Sequence, residues 1–244
     1  MTTFVDRHGL WTADQHLAAQ ELTKTLESKS VELVRFAFPD QHGIVRGKTL
    51  VAEEAKSVLK NGVNLTSTLL AKDTSHRTVF PVFTQGGGFQ FEGMQGGADF
   101  VVVPDPLTFR VLPWAPDTGW VLCDAYMPDG RPCPLATRSI LSRAVAQVKE
   151  LGFEFIAGLE VEFHAFKVED PRLALEHSGQ PGEPPQVSLL THGHQYLTEL
   201  RYDRVDELMT LLRKTLQGLG LPLRSLEIEF GPSPSFSTGA RHRC

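Results

Sequence analysis

The chain has 244 residues, of which 41% are hydrophobic, 22% charged and 9% aromatic, and its formal net charge is -5. This composition is typical of a folded globular protein and excludes a disordered or collagen-like chain. The longest apolar runs fall far short of the roughly 20 residues that a membrane-spanning helix needs, so we expect no membrane partner. Lysine and arginine are scattered along the chain, which argues against nucleic acid as a partner.

The three cysteines, Cys123, Cys133 and Cys244, form neither a close metal-binding pair nor an even disulfide framework. The first residues also lack the basic stretch and apolar stretch of a secretory signal. We therefore expect a cytoplasmic protein with free thiols. Cys123 lies in an apolar run without a basic group to lower its pKa, which favours a small core residue over a nucleophile.

The first half of the chain predicts a short helical lead-in followed by a mostly β unit. Thr12 is placed to cap a helix, with Gln15 as its capping-box partner. Alternating residues over 31–38 and 44–50, separated by turn residues, predict a β-hairpin, and 52–60 predicts a short helix. Three more short strands are predicted, at 100–103, 109–112 and 120–125.

A glycine-rich segment interrupts this β unit. Residues 85–97 contain six glycines, which predicts a mobile loop without packed structure. The run Gly86 to Gly88 is not followed by the Lys-Ser or Lys-Thr pair of a phosphate-binding loop.

After about residue 130 the apolar period changes from that of strands to that of helices, which predicts a domain boundary. Thr137 is placed to cap a helix that Gly152 closes. The rest of the chain predicts a strand at 153–168, an unstructured insert at 169–185, a helix at 203–216 and a strand at 223–230.

Two of these strands carry paired glutamates. In a strand, alternate side chains share a face, so Glu160 and Glu162 point to one side and their apolar neighbours to the other. Glu227 and Glu229 repeat the arrangement. If both strands belong to one sheet, up to four carboxylates converge.

A divalent cation would relieve the repulsion among such carboxylates. Ligation by carboxylates alone favours Mg²⁺ or Mn²⁺ over zinc, and such ions commonly hold substrate phosphates. The alternative is a strand with one solvated face, which produces the same alternation. The pattern alone leaves both interpretations open.

Several short motifs run in one order along nearly the whole chain, from about residue 31 to 233. They are Phe38-Pro39-Asp40-x-x-Gly43-x-x-Arg46-Gly47-Lys48, Val103-Pro104-Asp105-Pro106-x-Thr108, Pro113-Trp114, Cys123-Asp124, Gly158-x-Glu160-x-Glu162-Phe163 and Glu229-Phe230-Gly231-Pro232-Ser233. Together they resemble the glutamine synthetase family. The form is similar to the bacterial type I branch, especially members that ligate glutamate to amines other than ammonia.

The resemblance implies an α+β fold in four parts. These are a helical lead-in (1–28), an N-terminal β-grasp domain (29–128), the first part of a catalytic domain with a curved antiparallel sheet and helices (129–233), and a divergent tail (234–244). It also implies a ring-shaped homo-oligomer with active sites between neighbouring subunits.

The same resemblance implies a ligase of nitrogen metabolism whose partners are glutamate, ATP, and ammonia or an amine. ATP converts the glutamate side-chain carboxylate to γ-glutamyl phosphate, and the amine displaces phosphate to form an amide. The carboxylate is a poor electrophile until phosphate becomes its leaving group, and Mg²⁺ or Mn²⁺ serves that step.

Site residues follow from matching positions in the family motifs. Glu160 and Glu162 match a pair that serves two metal sites, and Glu229 matches the first carboxylate of E-x-G-P-x-Q-x-E. Asp73 and Asp99 correspond to acidic residues of an intersubunit loop, the first of which helps to bind and deprotonate ammonium. In a turn, an aspartate is more often a hydrogen-bonding turn residue. Glu227 has no certain family role.

The match stops after Ser233, because the family expects glutamine at 234 and a second metal-binding glutamate at 236, where this chain has Pro234 and Phe236. In complete family members, the resemblance implies, the following part holds a metal-binding histidine, the nucleotide pocket and arginines for glutamate and phosphate. We therefore expect a C-terminally truncated homologue with little or no ligase activity alone.

Two further function classes stay open. One is a non-catalytic paralogue that enters mixed rings with a complete synthetase and alters its assembly. The other is an unrelated metal-dependent enzyme that uses only the four strand glutamates, which lacks an identified nucleophile or base. His192 and His194 suggest a metal pair, but no carboxylate or cysteine lies at conventional spacing, which favours a solvated loop.

Overall fold

The computed structural model describes residues 2–91, 93–231 and 235–243, and for 235–243 it describes the backbone alone. The chain divides into two compact units, Met1–Ala146 and Gln147–Cys244. Both units contain helices and strands, which confirms the α+β class. The division falls inside one helix, and the predicted domain boundaries stay predictions. Among the described residues, no helix is long and apolar enough to cross a membrane.

The first unit is built around a six-stranded sheet. Its elements are α1 (Phe4–His8), α2 (Ala13–Glu27), β1 (Leu33–Pro39), β2 (Val45–Val51), α3 (Ala52–Val58), β3 (Val63–Thr66), β4 (Asp99–Pro104), β5 (Arg110–Leu112), β6 (Ala115–Tyr126) and α4 (Thr137–Glu150). The strand order is β2-β1-β6-β4-β3, and β5 also pairs with β6. β1 and β6 run parallel, whereas the other pairs are antiparallel.

Local chemistry accounts for the ends of these elements. The Thr12 side chain accepts a hydrogen bond from the Gln15 amide, and the Gln15 side-chain oxygen accepts one from the Thr12 amide, so the predicted capping box is present. The hairpin of β1 and β2 turns at Asp40, whose carboxylate accepts from the amides of His42 and Ile44. Both predictions are confirmed.

A large apolar core lies against one face of this sheet. Its fully buried members include strand and helix residues from distant parts of the chain, such as Leu26, Val34, Phe36, Phe38, Leu70, Phe100, Val102, Val121 and Cys123. The predicted role of Cys123 as a core residue is confirmed, and burial raises the pKa of its thiol.

The glycine-rich segment packs against this core, so the prediction of a loop without packed structure is wrong. Two short 3₁₀ turns form at Gly88–Gln90 and Gln95–Gly97, and Met94 between them is 1% exposed. Gly88 has a positive φ of 68°, and a Cβ there would lie 2.5 Å from the Met94 carbonyl oxygen. The glycines are therefore required for close packing of the backbone, which composition alone does not distinguish from mobility.

The second unit has a smaller core. Its elements are β7 (Ile156–His164), β8 (Phe166–Asp170), β9 (Gln186–Leu189), α5 (Glu199–Asp203), α6 (Asp206–Gly218), β10 (Ser225–Glu229) and β11 (Ser235–Arg243). Two antiparallel sheets form, β10-β11-β7 and β8-β9. Val205, Met209 and Ile228 form the buried centre, with Phe163 and Leu226 packed against it.

Four expectations for this unit need correction. The strand predicted at 153–168 begins at Ile156 and breaks after His164, and the insert predicted to be unstructured contains a 3₁₀ turn at Leu175–His177. Asp203 ends α5 instead of opening a helix, because Val205 has non-helical φ and ψ of -120° and 15° and separates α5 from α6. The tail expected to be unpatterned includes β11, the central strand of the sheet.

Candidate functional site

Both glutamate pairs lie on the same face of the three-stranded sheet. Position 237 of β11 pairs with Glu162 on one side and with Glu227 on the other. Position 235 pairs in the same way with His164 and Glu229. Because directly paired residues of a sheet point to one face, these side chains share that face with Glu160. We call this surface, formed by Glu160, Glu162, His164, Glu227 and Glu229, the glutamate face.

The glutamate face is open rather than closed around an ion. Glu160 and Glu162 are exposed, and Glu227 and Glu229 are half-buried. One strand separates the two pairs, which puts Glu162 and Glu227 about 10 Å apart at their backbones. Within the part of the chain that the structure describes, no three His, Cys, Asp or Glu side chains are already close enough to hold a metal ion.

The donors nevertheless fit a hard divalent ion. Carboxylate oxygens are the preferred ligands of Mg²⁺, which usually keeps several waters and uses one or two protein carboxylates together with substrate phosphates. Glu162 and Glu229 each offer a carboxylate from a different edge strand of one sheet. The face therefore suits an ion that substrate completes, rather than an ion enclosed by protein.

A buried arginine fixes the backbone at the end of β10. Arg201 is 1% exposed, and its Nη1 donates to the carbonyl oxygen of Glu229 at 3.1 Å. The same Nη1 donates to the Gln195 carbonyl at 3.3 Å, and Nε donates to Thr191 Oγ1 at 3.2 Å. Burial lowers the pKa of this guanidinium. The sequence does not predict this residue as functional, because its partners are backbone atoms that no residue pattern identifies.

A cavity of about 350 Å³ lies beside β10, on the edge of that strand that faces away from β11. Its lining combines apolar and acidic side chains, from Leu197, Thr198, Glu199, Tyr202, Asp203, Leu226, Glu227 and Ile228. Glu227 thus borders this cavity as well as the glutamate face.

Comparison with known proteins gives the family. Residues 134–239 match the family described as glutamine synthetase, catalytic domain. The chain is 38% identical over 241 residues to a γ-glutamylanilide synthase of Acinetobacter sp, an alignment that covers 96% of this chain and 48% of the relative. It is 30% identical over 221 residues to a γ-glutamylethanolamide synthetase of Streptomyces coelicolor, covering 88% of this chain and 44% of the relative. Residues 134–239 thus belong to the glutamine synthetase catalytic-domain family, and nearly the whole chain is similar to these synthetases.

Solved structures agree at the level of fold. A structure titled GmaS/ADP complex has a TM-score of 0.66 at 19% identity and covers 91% of this chain and 44% of that chain. A glutamine synthase homolog has a TM-score of 0.60 at 21% identity and covers 87% of this chain. This glutamine synthetase relative thus spans about half the length of the proteins that it matches. The β-grasp identity of its N-terminal part stays a prediction.

The family motif that begins at Glu229, at the end of β10, is the one from which this chain departs, at positions 234 and 236. Pro232, Ser233 and Pro234 lie outside the described residues. Position 236, where the family pattern expects a metal-binding glutamate, pairs with Phe163 and Ile228. The register therefore puts position 236 with apolar residues and not with the glutamate face.

The two predicted aspartates lie in the first unit of this glutamine synthetase relative. Asp73 Oδ1 accepts from the amides of Ser75 and Arg77, at 2.9 and 3.0 Å, so its carboxylate stabilises a turn. Asp99 is the exposed first residue of β4 and pairs with Thr66. The role of Asp73 in ammonium binding and the place of Asp99 in the same intersubunit loop stay predictions.

Two other aspartates of the family motifs share one arginine. Arg138 in α4 donates from Nε to Asp124 and from Nη2 to Asp105, each at 3.0 Å. Asp105 also accepts from Gln15 Nε2. These contacts tie α2, β6 and α4 together, so the motif residues Asp105 and Asp124 have a structural role in the described chain. The sequence does not predict these pairs, because Asp124 and Asp105 lie 14 and 33 residues from Arg138 along the chain.

Proposed function

We propose that this chain provides the first part of the catalytic machinery of an ATP-dependent ligase that joins glutamate to ammonia or an amine. The observation that carries the proposal is the glutamate face, on which two family motifs from separate strands meet in register across β11. Its relatives are named for γ-glutamyl amides of aniline and ethanolamine, which supports an amine as the acceptor class. The particular amine stays open.

In this proposal Glu160, Glu162 and Glu229 hold Mg²⁺ or Mn²⁺. The bound ion would neutralise charge on the phosphates of ATP during transfer to the glutamate side chain. The carboxylates themselves would bind and orient the ion, and the pairing of β7 and β10 with β11 holds their backbones in the sheet. Asp73 and Asp99, carried by a β-grasp domain, would serve the ammonium site of a neighbouring subunit in a ring.

Manganese binding tests the proposal without requiring turnover. Mn²⁺ is titrated into the 244-residue chain and free ion is measured by electron paramagnetic resonance. We expect E162Q and E229Q each to weaken binding about 10-fold or more, because each removes a charged ligand. E154Q, which neutralises an exposed glutamate just before β7, is the matched control and should leave binding unchanged. Equal binding by all four proteins would contradict the proposal.

A second candidate function is a non-catalytic paralogue that assembles with a longer synthetase. The pairing of position 236 with apolar residues favours it, and residues 235–243 contain no acidic residue at all. We therefore expect little γ-glutamyl hydroxamate from this chain with ATP, glutamate and hydroxylamine. Robust turnover would exclude this second candidate.

Assembly provides the complementary measurement. The chain is co-expressed with the Acinetobacter γ-glutamylanilide synthase, and light scattering gives the mass of the purified particles. Particles that contain both chains would support the non-catalytic role. Separate particles would reject it.

A further inference from the structure

Arg201 is a buried cation with an unusual set of partners. No ion pair among the described residues includes it, although it is 1% exposed. Its Nη2 has no hydrogen-bond partner among the described residues. Burying a guanidinium without a carboxylate is costly, so a role in placing other groups is expected to compensate.

The hydrogen bonds of Arg201 join two segments that lie side by side. One segment is the loop that contains Thr191 and Gln195, and the other is the end of β10 at Glu229. Backbone bonds continue the same contact, from the Leu197 amide to the Ile228 carbonyl and from the His194 amide to the Gly231 carbonyl. The loop therefore follows the edge of β10, and Arg201 locks it there from inside.

We propose that Arg201 is a positioning residue for Glu229, an inference that rests on the proposed function of Glu229 as a metal ligand. Glu229 is the last residue of β10, where the strand no longer constrains the chain on its C-terminal side. The bond from Nη1 to its carbonyl oxygen fixes the peptide that follows Cα, and this fixes the direction in which the carboxylate leaves the backbone. Groups that orient a metal ligand commonly change metal affinity 10- to 100-fold when removed.

Electrostatic repulsion alone predicts that removing Arg201 strengthens metal binding, which is the opposite of what positioning predicts. A positive guanidinium close to a cation site repels the ion, so its removal would strengthen metal binding if charge were its only effect. Positioning predicts weaker binding. The direction of the change therefore separates the two explanations.

The experiment measures Mn²⁺ affinity of the full 244-residue chain by electron paramagnetic resonance, together with amide hydrogen exchange. We expect R201M to weaken binding about 10-fold or more. R201K keeps the positive charge but lacks the planar guanidinium, so its loss of Mn²⁺ affinity should be smaller than that of R201M but still measurable. Exchange of the His194 and Leu197 amides should speed up in both variants, because the loop is released from β10.

Two controls separate positioning from general destabilisation. R204M removes an exposed positive charge next to α5 and should leave Mn²⁺ affinity unchanged. M209A removes a buried side chain from the same small core, and should lower the melting temperature without changing Mn²⁺ affinity well below that temperature. T191V removes the acceptor of Nε alone and should weaken binding severalfold, which keeps the test valid if R201M does not fold.

Each outcome decides something different. Loss of affinity in R201M and T191V but not in M209A supports the inference. Unchanged or tighter binding in the Arg201 variants, in a chain whose binding still depends on Glu229, overturns the inference alone. Mn²⁺ binding that does not depend on Glu229 overturns the proposed function and the inference with it.

Discussion

The two units differ in how their apolar surfaces are used. In the first unit the sheet lies against an extensive core, and Leu70 within it is 2% exposed. In the second unit the buried centre has three residues among those whose side chains are described, and Leu159 on the apolar side of β7 is 61% exposed. α4, the helix inside which the two units divide, has no buried residue along its length. Alternation in a strand therefore identifies an apolar face but does not show whether that face is covered.

The largest difference between the units is expected from matched leucine substitutions. L70A should lower the free energy of unfolding by about 3–5 kcal/mol, because it leaves a cavity in a packed core. L159A should change it by less than about 1 kcal/mol, because the side chain is already solvated. All three tryptophans, Trp11, Trp114 and Trp120, lie in the first unit, so their fluorescence in urea measures the effect of L70A, and far-ultraviolet circular dichroism, to which both units contribute, measures that of L159A. Equal effects of the two substitutions would remove the contrast.

The next effect concerns acid stability of the first unit. Burial raises the pKa of Asp40, but the bond from Arg46 and the amides of His42 and Ile44 outweigh it, and the pKa lies below its ordinary value of 3.8. The unfolded chain thus takes up the proton first as pH falls. The stabilisation by Asp40 is complete well above pH 3.8 and is lost as pH falls through the lower folded pKa.

Substitution at this position tests that dependence. D40N should cost about 3 kcal/mol at pH 7, because it leaves Arg46 without its buried partner, and should flatten the loss of stability in acid. Urea denaturation from pH 7 to pH 2.5 measures both. E32Q, at an exposed carboxylate of the first unit, should leave the acid dependence as it is. Parallel curves for D40N and the unsubstituted chain would show that Asp40 does not control it.

Ion pairs should show a smaller contrast. Arg138 makes two charged hydrogen bonds at 3.0 Å, to Asp105 and Asp124, and all three side chains are largely shielded from solvent. R138M should therefore cost about 2 kcal/mol in the tryptophan-detected urea transition. In the second unit Arg172 pairs with Asp170, which is 47% exposed, so R172M should cost less than about 1 kcal/mol in the urea transition followed by circular dichroism. A larger loss in R172M would reverse the expected order.

Helix caps give the smallest effect. Thr12 forms a complete capping box for α2, whereas Thr198 precedes α5 without a side-chain capping bond. T12A should lower stability by about 1 kcal/mol, and T198A should have almost no effect. Thermal melting followed by circular dichroism measures both variants, and a cost at Thr198 as large as that at Thr12 would contradict the assignment of the caps.

Much of the fold could be predicted from local patterns. The capping box at Thr12, the hairpin of β1 and β2 and the strand at β10 follow from residues close together in sequence. The packing of Met94 among glycines and the break at Val205 depend on contacts or backbone angles that neighbouring residues do not determine. These elements could not be predicted for that reason.

The candidate site shows the same division. The face shared by Glu160 and Glu162 follows from the period of a strand. The strand between the pairs is β11, whose sequence has no helical or alternating apolar pattern, and its pairing with both neighbours sets the register of the glutamate face. Arg201 acts through backbone atoms of Gln195 and Glu229, so its place could not be read from residue types.

The most direct test of the glutamate face is the position of a bound ion. Crystals of the chain soaked in Mn²⁺ would give an anomalous difference peak that marks the ion independently of any assay. We predict a peak on the glutamate face, coordinated by carboxylate oxygens of Glu162 and Glu229. A peak confined to the cavity beside Glu199 and Asp203, or no peak near Glu162 and Glu229, would contradict the account.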